Sequence, residues 1–309
     1  MIYTLTMNAA IDLFIETNKV EYDSVNRSNY DELQPNGKGI NVSFIMKQLN
    51  IDTTALGYVG GFTGDYIINE LNKKNIGTNF VSVDGNTRIN VFTRVLSKKD
   101  EFKLVNKGPN INYQQKNKLL DIIKNLKNSD MLIISGSLPR GIEPKFLIDI
   151  IKILSENKVQ FILDTSYEIV MDLLEFEPLM LKPNIEELQI WTKTKVNSTE
   201  SMLAVCKDLI KKGAKSVLLS LGSDGAMYVN DNSAFKVNAP QGNVVNTACS
   251  GDTLLGSFVA KRLNGELVED ALAFAVAAGS STAFSPGLTD FIDVPELLKQ
   301  IKIEKIVEE

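Results

Sequence analysis

From Asp130 onward, the chain alternates short apolar segments with longer stretches of helical spacing, and this rhythm limits the folds open to it. The apolar segments are residues 131–134, 161–163, 179–181 and 217–219, and the longer helical stretches include residues 144–156 and 199–212. Short strands without polar alternation are buried on both faces, which is typical of parallel pairing through βαβ units. The pattern predicts an α/β fold with a doubly wound, mainly parallel sheet and helices on both faces.

The N-terminal third also contains strands and helices of this kind, interrupted by more polar segments. Strands are predicted at residues 1–7 and 53–59, and helices at residues 40–49 and 65–75. Alternating polar segments predict two exposed hairpins, formed by residues 11–20 with 24–33 and by residues 88–96 with 101–105. We therefore expect one domain over residues 1–309 with a discontinuous β lid from about 12–34 and 87–107.

Composition excludes several classes of partner. The chain has 33 Lys and Arg against 38 Asp and Glu, a formal charge of −5, so it has no general attraction for nucleic acid or anionic membrane. The start of the chain lacks the features of a signal peptide, and no apolar run is long enough to span a bilayer. With only Cys206 and Cys249, we expect a cytoplasmic protein without a disulfide.

The sequence contains no histidine. This excludes His-based catalytic triads and imidazole acid–base chemistry, and two cysteines alone do not complete a structural zinc site. Proton transfer would have to use carboxylates, Lys, Tyr or Cys. A catalytic Asp is the favoured candidate.

Residues 246–252, here called the anion loop, are small or turn-forming and lead directly into an apolar helical stretch. The first turn of a helix has unpaired N–H groups and partial positive charge, so it can hold a phosphate through the backbone. Asp252 stands at this helix start. On position alone, capping of the helix is the more ordinary explanation for this residue.

A second stretch of small residues, 35–42, also opens a helix and is here called the glycine loop. Its glycines allow close approach to a ligand, and Lys38 and Asn41 place a cation and an amide beside them. Ligands of doubly wound sheets bind at the C-terminal ends of the strands. The loops expected at that edge are also small or polar, namely residues 135–139, 164–166, 182–184 and 220–225.

Both loops resemble signatures of the PfkB family of carbohydrate kinases, which have the ribokinase-like fold. The family's Gly-Gly-Lys-Gly-x-Asn loop corresponds here to Asn36-Gly37-Lys38-Gly39-Ile40-Asn41, and its Gly-(Ala/Ser)-Gly-Asp loop to Cys249-Ser250-Gly251-Asp252. Residues 4–12 are similar to the family's Asn-Pro-x-x-Asp start, with Ala9 where proline is usual. The resemblance covers nearly the whole chain.

Further segments resemble the branch of this family that acts on hexose phosphates. They are residues 26–27, 87–90, 135–139, 182–187 and 245–247. The resemblance implies a kinase that transfers the γ-phosphate of ATP to the free primary hydroxyl of a ketohexose phosphate, with fructose 1-phosphate as the first candidate. The alternatives are tagatose 6-phosphate, tagatose 1-phosphate, or an unphosphorylated sugar or nucleoside. A protein that binds nucleotide or sugar phosphate without turnover is the alternative from a different class.

The resemblance also implies roles for individual residues. Asp252 would deprotonate the acceptor hydroxyl, and the backbone N–H groups of Ser250, Gly251 and Asp252, in the loop that begins at Cys249, would stabilise the transferred phosphoryl group. Sugar hydroxyls would be bound by Asp12, Gly37, Asn41 and Ser137. The phosphate of the sugar would be bound by Arg27, Lys38 and Arg88, with Arg140 a weaker candidate. For Arg27 and Arg88, a solvated charge on a hairpin is the alternative explanation.

On the nucleotide side, the resemblance implies binding by Lys182, Asn184, Ser220, Gly222, Gly225, Thr247, Gly279 and Ala275. Glu187 would help to hold Mg²⁺ through water, although a carboxylate at a helix start also stabilises the helix by itself. For Ala275 and Gly279, helix packing is the alternative. Trp191 and Cys206 are assigned to packing.

Two positions depart from the family pattern. Asn36 stands where glycine is usual, and asparagine tolerates left-handed backbone better than most residues. Cys249 also replaces a glycine, and left-handed geometry there would cost about 1–2 kcal/mol. One hypothesis is that the helix N-terminus makes this thiol reactive, and the other is that it is buried and inert. The resemblance finally implies a homodimer formed through the lid.

Overall fold

The computed structural model describes residues 1–98 and 100–306, whose strands form two sheets. The strands are β1 (Ile2–Thr6), β2 (Ala10–Thr17), β3 (Tyr30–Asn36), β4 (Thr53–Val59), β5 (Gly77–Ser82), β6 (Arg88–Val95), β7 (Asp100–Leu104), β8 (Met131–Ser135), β9 (Gln160–Asp164), β10 (Met180–Leu181), β11 (Ser216–Ser220), β12 (Ala226–Asn230), β13 (Ala234–Val237) and β14 (Ile303–Lys305).

The helices are α1 (Lys38–Gln48), α2 (Gly61–Lys73), α3 (Tyr113–Lys124), α4 (Phe146–Glu156), α5 (Ile185–Thr192), α6 (Thr199–Lys211), α7 (Ser250–Leu263), α8 (Val268–Phe284) and α9 (Val294–Leu298). Two 3₁₀ segments span Glu168–Phe176 and Gly222–Asp224. Within residues 1–98 and 100–306, no helix is both long and apolar enough to cross a bilayer.

The large sheet has the strand order β14-β13-β12-β11-β10-β9-β8-β1-β4-β5. Pairing is parallel from β5 through β11 and antiparallel at the other edge, from β11 to β14. The predicted doubly wound, mainly parallel sheet is confirmed. The antiparallel edge and β5 were not predicted, because β5 alternates between exposed and buried residues rather than forming an apolar run.

Apolar packing covers both faces of this sheet. On β8, Leu132 and Ile134 join one hydrophobic cluster, whereas Met131 and Ile133 join a second. Successive side chains of a strand point to opposite faces, so this division shows a sheet buried on both sides. The second cluster includes residues of α1, α7 and α8. These helices therefore pack on one face, and both loops identified from the sequence open helices on that face.

The smaller sheet has the order β3-β2-β6-β7 and is here called the lid. Strands β2 and β3 pair antiparallel, as do β6 and β7, so both predicted hairpins are present. Parallel pairing of β2 with β6 joins the hairpins into one sheet, with Asp12 opposite Asn90. Helix α2 begins at Gly61, four residues before the predicted start at residue 65. The pair Gly60-Gly61 suggested a turn after β4, but the helix begins at this pair.

Candidate active site

The anion loop leads into α7 with an unusual backbone conformation. Cys249 is the residue immediately before the helix and has a left-handed backbone, with φ 64° and ψ −4°. The amide of Asp252 donates to the carbonyl of Cys249 over 3.1 Å, so it already has a partner. Of the three amides predicted to stabilise the phosphoryl group, those of Ser250 and Gly251 are therefore the ones available to an anion.

Lys182 lies beside this helix start. It follows β10, and a Cβ atom added at Gly251 would lie 3.5 Å from its Nζ atom. The Oγ atom of Ser250 is buried without a hydrogen-bond partner in the described structure. An ammonium group, unpaired amides and an unsatisfied hydroxyl thus converge where a phosphate would bind.

Asp252 lies in the first turn of α7 and is buried. Nδ2 of Asn41, in α1, donates a hydrogen bond of 2.8 Å to its Oδ2 atom. No group of residues 1–98 or 100–306 donates to its other oxygen, Oδ1. Burial and the nearby charge of Asp164 raise the pKa of Asp252 to about 7, although Lys38 partly opposes the shift. A general base needs a pKa near the working pH, and Asp252 meets this requirement.

Asp164 is the main residue of the site that the sequence analysis did not single out. It ends β9, is fully buried, and its Oδ1 atom lies 3.1 Å from Nζ of both Lys38 and Lys182. Burial disfavours the charged form of Lys38, but neighbouring carboxylates, Asp164 first among them, outweigh that cost and raise the pKa of this lysine. A charged residue at the end of an apolar strand was the available signal.

Glu187 and Asn184 form a capping box at the start of α5. The amide of Glu187 donates to Oδ1 of Asn184 over 2.8 Å, and the amide of Asn184 donates to Oε2 of Glu187 over 2.9 Å. Such reciprocal bonds stabilise a helix start, so both residues have a structural role. The other oxygen of Glu187, Oε1, lies 3.9 Å from Nζ of Lys38 and so faces the site.

These carboxylates fit a magnesium ion. Oε1 of Glu187 faces the site, and Oδ2 of Asp164 is buried without a hydrogen-bond partner. Within residues 1–98 and 100–306, no cluster of three or more Asp, Glu, Cys or His residues is placed to hold a metal. Mg²⁺ commonly uses one or two carboxylates together with phosphate oxygens and water, so the observed donor set is suitable.

The lid contributes the carboxylate of Asp12. Nδ2 of Asn90 donates to its Oδ1 over 2.8 Å, and Nδ2 of Asn36 donates to its Oδ2 over 2.5 Å. Burial raises the pKa of Asp12, while these amides and Arg88 oppose the shift. The carboxylate is thus held by amides at the end of the lid next to the glycine loop, where it can accept from a sugar hydroxyl.

Arg88 begins β6 and lies between the lid and the large sheet. Its guanidinium donates to the carbonyls of Asn8, over 2.9 Å, and Asn106, over 3.1 Å, while its Nε atom is buried and lacks a protein partner. Burial lowers its pKa. Nδ2 of Asn8 in turn donates to Oγ of Ser137 over 3.2 Å. These bonds bring Arg88, a predicted ligand of the sugar's phosphate, and Ser137, a predicted ligand of its hydroxyls, to one region.

Comparison with known proteins decides the family. The model of the pfkB family carbohydrate kinases matches residues 4–295. The chain belongs to this family. It is 45% identical over 304 residues to a D-tagatose-1-phosphate kinase of Bacillus licheniformis, covering 98% of this chain and 99% of the relative. It is 36% identical over 307 residues to a 1-phosphofructokinase of Borreliella burgdorferi, covering 99% of each.

Solved structures show the same fold. The phosphofructokinase-2 of Escherichia coli, crystallised with substrates and products, superimposes with a TM-score of 0.89 at 25% identity, covering 96% of this chain and 98% of that one. The predicted ribokinase-like fold and the predicted kinase activity are confirmed. Kinases of this family use ATP as the phosphate donor.

Several predicted residues lie at the margin of the kinase site. Arg27 is exposed in the loop between β2 and β3, and among the described residues its hydrogen bond is from Oγ1 of Thr17 to its backbone carbonyl. Thr247 is exposed in the anion loop. Gly222 has φ 61° and open space around it, and Ser220 pairs with the segment after β10 through the carbonyl of Pro183. Their contact with nucleotide stays a prediction.

Three predicted nucleotide ligands also have a role in packing. A Cβ atom at Gly225, where φ is 97°, would lie 1.9 Å from the carbonyl oxygen of Val237, so the turn requires glycine. Gly279 packs α8 against the start of α7, because a Cβ atom there would lie 3.1 Å from the carbonyl oxygen of Ser250. Ala275 is fully buried in the same packing. Gly279 and Ala275 thus support α7, and their contact with nucleotide stays a prediction.

The two departures from the family pattern differ in their consequences. Asn36 does not have a positive φ, so the tolerance of asparagine for left-handed backbone does not matter at this position. Cys249 does have the expected left-handed backbone. Burial and the charge of Asp252 raise the pKa of the Cys249 thiol. This favours the hypothesis of an inert thiol, and the reactivity of Cys249 stays a prediction. Both Cys206 and Cys249 are free, as the sequence predicted.

Proposed function

We propose that this kinase phosphorylates the free primary hydroxyl of a ketohexose 1-phosphate, with Asp252 as the base. The observation that supports this role is the asymmetry of its carboxylate. Asn41 binds Oδ2, which leaves Oδ1 open beside the amides of Ser250 and Gly251. A hydroxyl hydrogen-bonded to Oδ1 would lie next to donors that stabilise a phosphoryl group.

The chemical step follows from this arrangement. As the acceptor oxygen forms its bond to the γ-phosphorus of ATP, its proton passes to Oδ1 of Asp252. The bond from the γ-phosphorus to the bridging oxygen breaks, and ADP leaves. Lys182 and the amides of Ser250 and Gly251 would stabilise the negative charge on the transferred group. Magnesium held near Glu187 and Asp164 would neutralise phosphate charge.

The phosphate already on the sugar needs a separate cationic site. Arg88 supports this role, because its Nε atom is buried without a protein partner and its fork can bind phosphate oxygens. Arg27 is kept as a second candidate on the resemblance alone. Lys38 is occupied by Asp164 and Glu187, so we place it nearer to the reacting phosphates than to the sugar phosphate.

The identity of the sugar rests on the relatives. Fructose 1-phosphate was the first candidate from sequence, and the 36% identical relative named 1-phosphofructokinase supports it. D-tagatose 1-phosphate is a second candidate, favoured by the 45% identical relative. The two sugars differ only in the configuration of one hydroxyl group. ADP release should be compared at limiting concentrations of each, and the larger kcat/KM identifies the substrate. A preference for tagatose 6-phosphate or a free hexose would overturn both candidates.

We also propose a homodimer formed through the lid. The lid exposes large apolar side chains, including Phe102 at 55% and Leu104 at 65% of their surface, and Phe14 stacks on Phe92 with ring centroids 5.1 Å apart. Apolar surface of this kind favours association. Light scattering should show a dimer for the wild type and a monomer for Leu104→Glu. A monomeric wild type would contradict the proposal.

A further inference from the structure

Asn36 ends β3 and points its amide into the site. Its Oδ1 atom accepts from the backbone amide of Gly37 over 2.6 Å and from Nδ2 of Asn41 over 3.0 Å. Because a backbone N–H is only a donor, the oxygen of Asn36 must face it. The amide nitrogen of Asn36 therefore faces Asp12 and donates to its Oδ2 atom over 2.5 Å.

This amide completes a chain of hydrogen bonds between the two carboxylates of the site. Asp12 is joined to Asn36, Asn36 to Asn41, and Asn41 to Asp252. Each carboxylate contributes one oxygen, Oδ2, to the chain. The chain thus fixes the orientation of both carboxylates at once, one on the lid and one on α7.

The thiol of Cys249 packs against the same amides. Its Sγ atom lies 3.2 Å from Nδ2 of Asn41 and 3.7 Å from Nδ2 of Asn36. A glycine at position 249 would leave no side chain there. The two residues that depart from the family signatures are therefore in direct contact with each other, although 213 positions separate them in sequence.

We propose that Asn36 is a positioning residue for the acceptor sugar, with Cys249 as its matched packing partner. Asn36 holds Asp12 toward the sugar hydroxyls and, through Asn41, fixes the carboxylate of Asp252 toward the hydroxyl that reacts. This inference rests on the proposed function, because it assumes that Asp12 and Asp252 both face the sugar.

The sharpest test is Asn36→Asp, which keeps the size and shape of the side chain, replaces the donor facing Asp12 with an oxygen, and adds a negative charge beside that carboxylate. A hydrogen bond to a charged group is typically worth enough to change binding about 10- to 100-fold, so the KM for the sugar phosphate should rise by that factor. The KM for ATP should change less than about twofold, because the residues predicted to bind the nucleotide are not part of this series of hydrogen bonds. A variant that only folds poorly would not show a raised KM for the sugar phosphate together with an unchanged KM for ATP.

Two further variants serve as comparison and control. Asn36→Ala removes both the donor and the acceptor without adding a charge, and should also raise the sugar KM about tenfold or more. Asn79→Ala changes an exposed asparagine of the edge strand β5 and should leave both KM values unchanged. A sugar KM in Asn36→Asp equal to that of the wild type would overturn the positioning role.

The matched pair is tested by a double-mutant cycle with Asn36→Ala and Cys249→Gly. Residues in contact are not additive, so the sugar KM of the double variant should differ from the product of the single effects by about twofold or more. If the change in sugar KM of the double variant equalled the product of the changes in the two single variants, the two residues would act independently. If the wild type used no ketohexose phosphate, the proposed function itself would be wrong, whereas an active wild type with unaffected variants would overturn only the role of Asn36.

Discussion

The ammonium groups of Lys38 and Lys182 lie 3.1 Å from the same oxygen atom, Oδ1 of Asp164. Lys38 comes from the glycine loop, Lys182 follows β10, and Asp164 ends β9. A single buried carboxylate thus joins the glycine loop to the segment that follows β10. Removing one partner of a buried ion pair leaves an uncompensated charge, which is costly.

Asp164→Asn should therefore lower the free energy of unfolding by about 3–5 kcal/mol and reduce kcat/KM for both substrates. Urea denaturation and ADP release measure the two effects. The matched control is Asp121→Asn, whose carboxylate pairs with Lys124 but is 67% exposed, and which should change stability by less than about 0.5 kcal/mol. Equal stability of Asp164→Asn and the wild type would show that Asp164 does not hold the lysines.

The raised pKa of Asp252 predicts a conflict between activity and stability. The base must be ionised, so kcat should rise with pH with a midpoint near the pKa of about 7. Because the folded-state pKa lies above that of the unfolded chain, the stability contributed by the protonated carboxyl is present at low pH and is lost as the pH rises through about 7.

Asp252→Asn carries no charge and should avoid this loss. Its free energy of unfolding should exceed that of the wild type by an amount that grows from about pH 4 to about pH 7 and then levels off, up to a few kcal/mol. Its turnover should fall by about 10²- to 10⁴-fold while ATP still binds. A stability difference independent of pH would show that burial does not raise the pKa of Asp252.

Arg88→Ala should weaken binding of every sugar phosphate that the kinase accepts. A charge-assisted bond to phosphate is strong, so we expect the sugar KM to rise at least about tenfold with little change in the KM for ATP. The control is Arg94→Ala on the same strand. The side chain of Arg94 is 58% exposed, and this residue is not predicted to bind substrate. If both variants behaved alike, the charge of the lid rather than Arg88 would account for binding.

We expect the thiol of Cys249 to be inert. We also expect the left-handed backbone of this residue to be strained. Iodoacetamide at about pH 8 should leave the native protein unmodified at Cys249, because burial raises the pKa of the thiol, and should label it after unfolding. Cys249→Gly should raise the free energy of unfolding by up to about 1–2 kcal/mol, because glycine adopts the left-handed backbone without strain. Rapid labelling of the native protein would contradict the assignment.

The sequence was sufficient for the parts of the molecule that follow simple periodicity. Apolar runs located β8, β9 and β11 within one residue at either end, and alternating polar segments predicted both lid hairpins. It was insufficient for β5, whose residues alternate between exposed and buried, and for the antiparallel strands β12 to β14, which it did not predict. The Gly-Gly pair at the start of α2 was likewise ambiguous, since glycine also ends helices.

Within the site, the sequence identified residues but not their contacts. Asp252, Lys38 and Asn41 were named from two loops, whereas their meeting through Asp164 and Asn36 depends on where β9 and β3 end. The close packing of Gly225 and Gly279 was likewise not visible in the sequence, because small residues suit both a ligand and close packing. Only the neighbouring atoms distinguish these two uses of glycine.

The most direct test of the kinase assignment is ADP release from ATP with Mg²⁺ by the wild type and Asp252→Asn. The sugars to compare are fructose 1-phosphate, tagatose 1-phosphate, tagatose 6-phosphate, fructose 6-phosphate and the free hexoses. We predict turnover of a ketohexose 1-phosphate at about 1–100 s⁻¹ by the wild type, and a large loss in Asp252→Asn. ATP binding without turnover of any sugar would contradict the assignment and favour a binding protein that has lost catalysis.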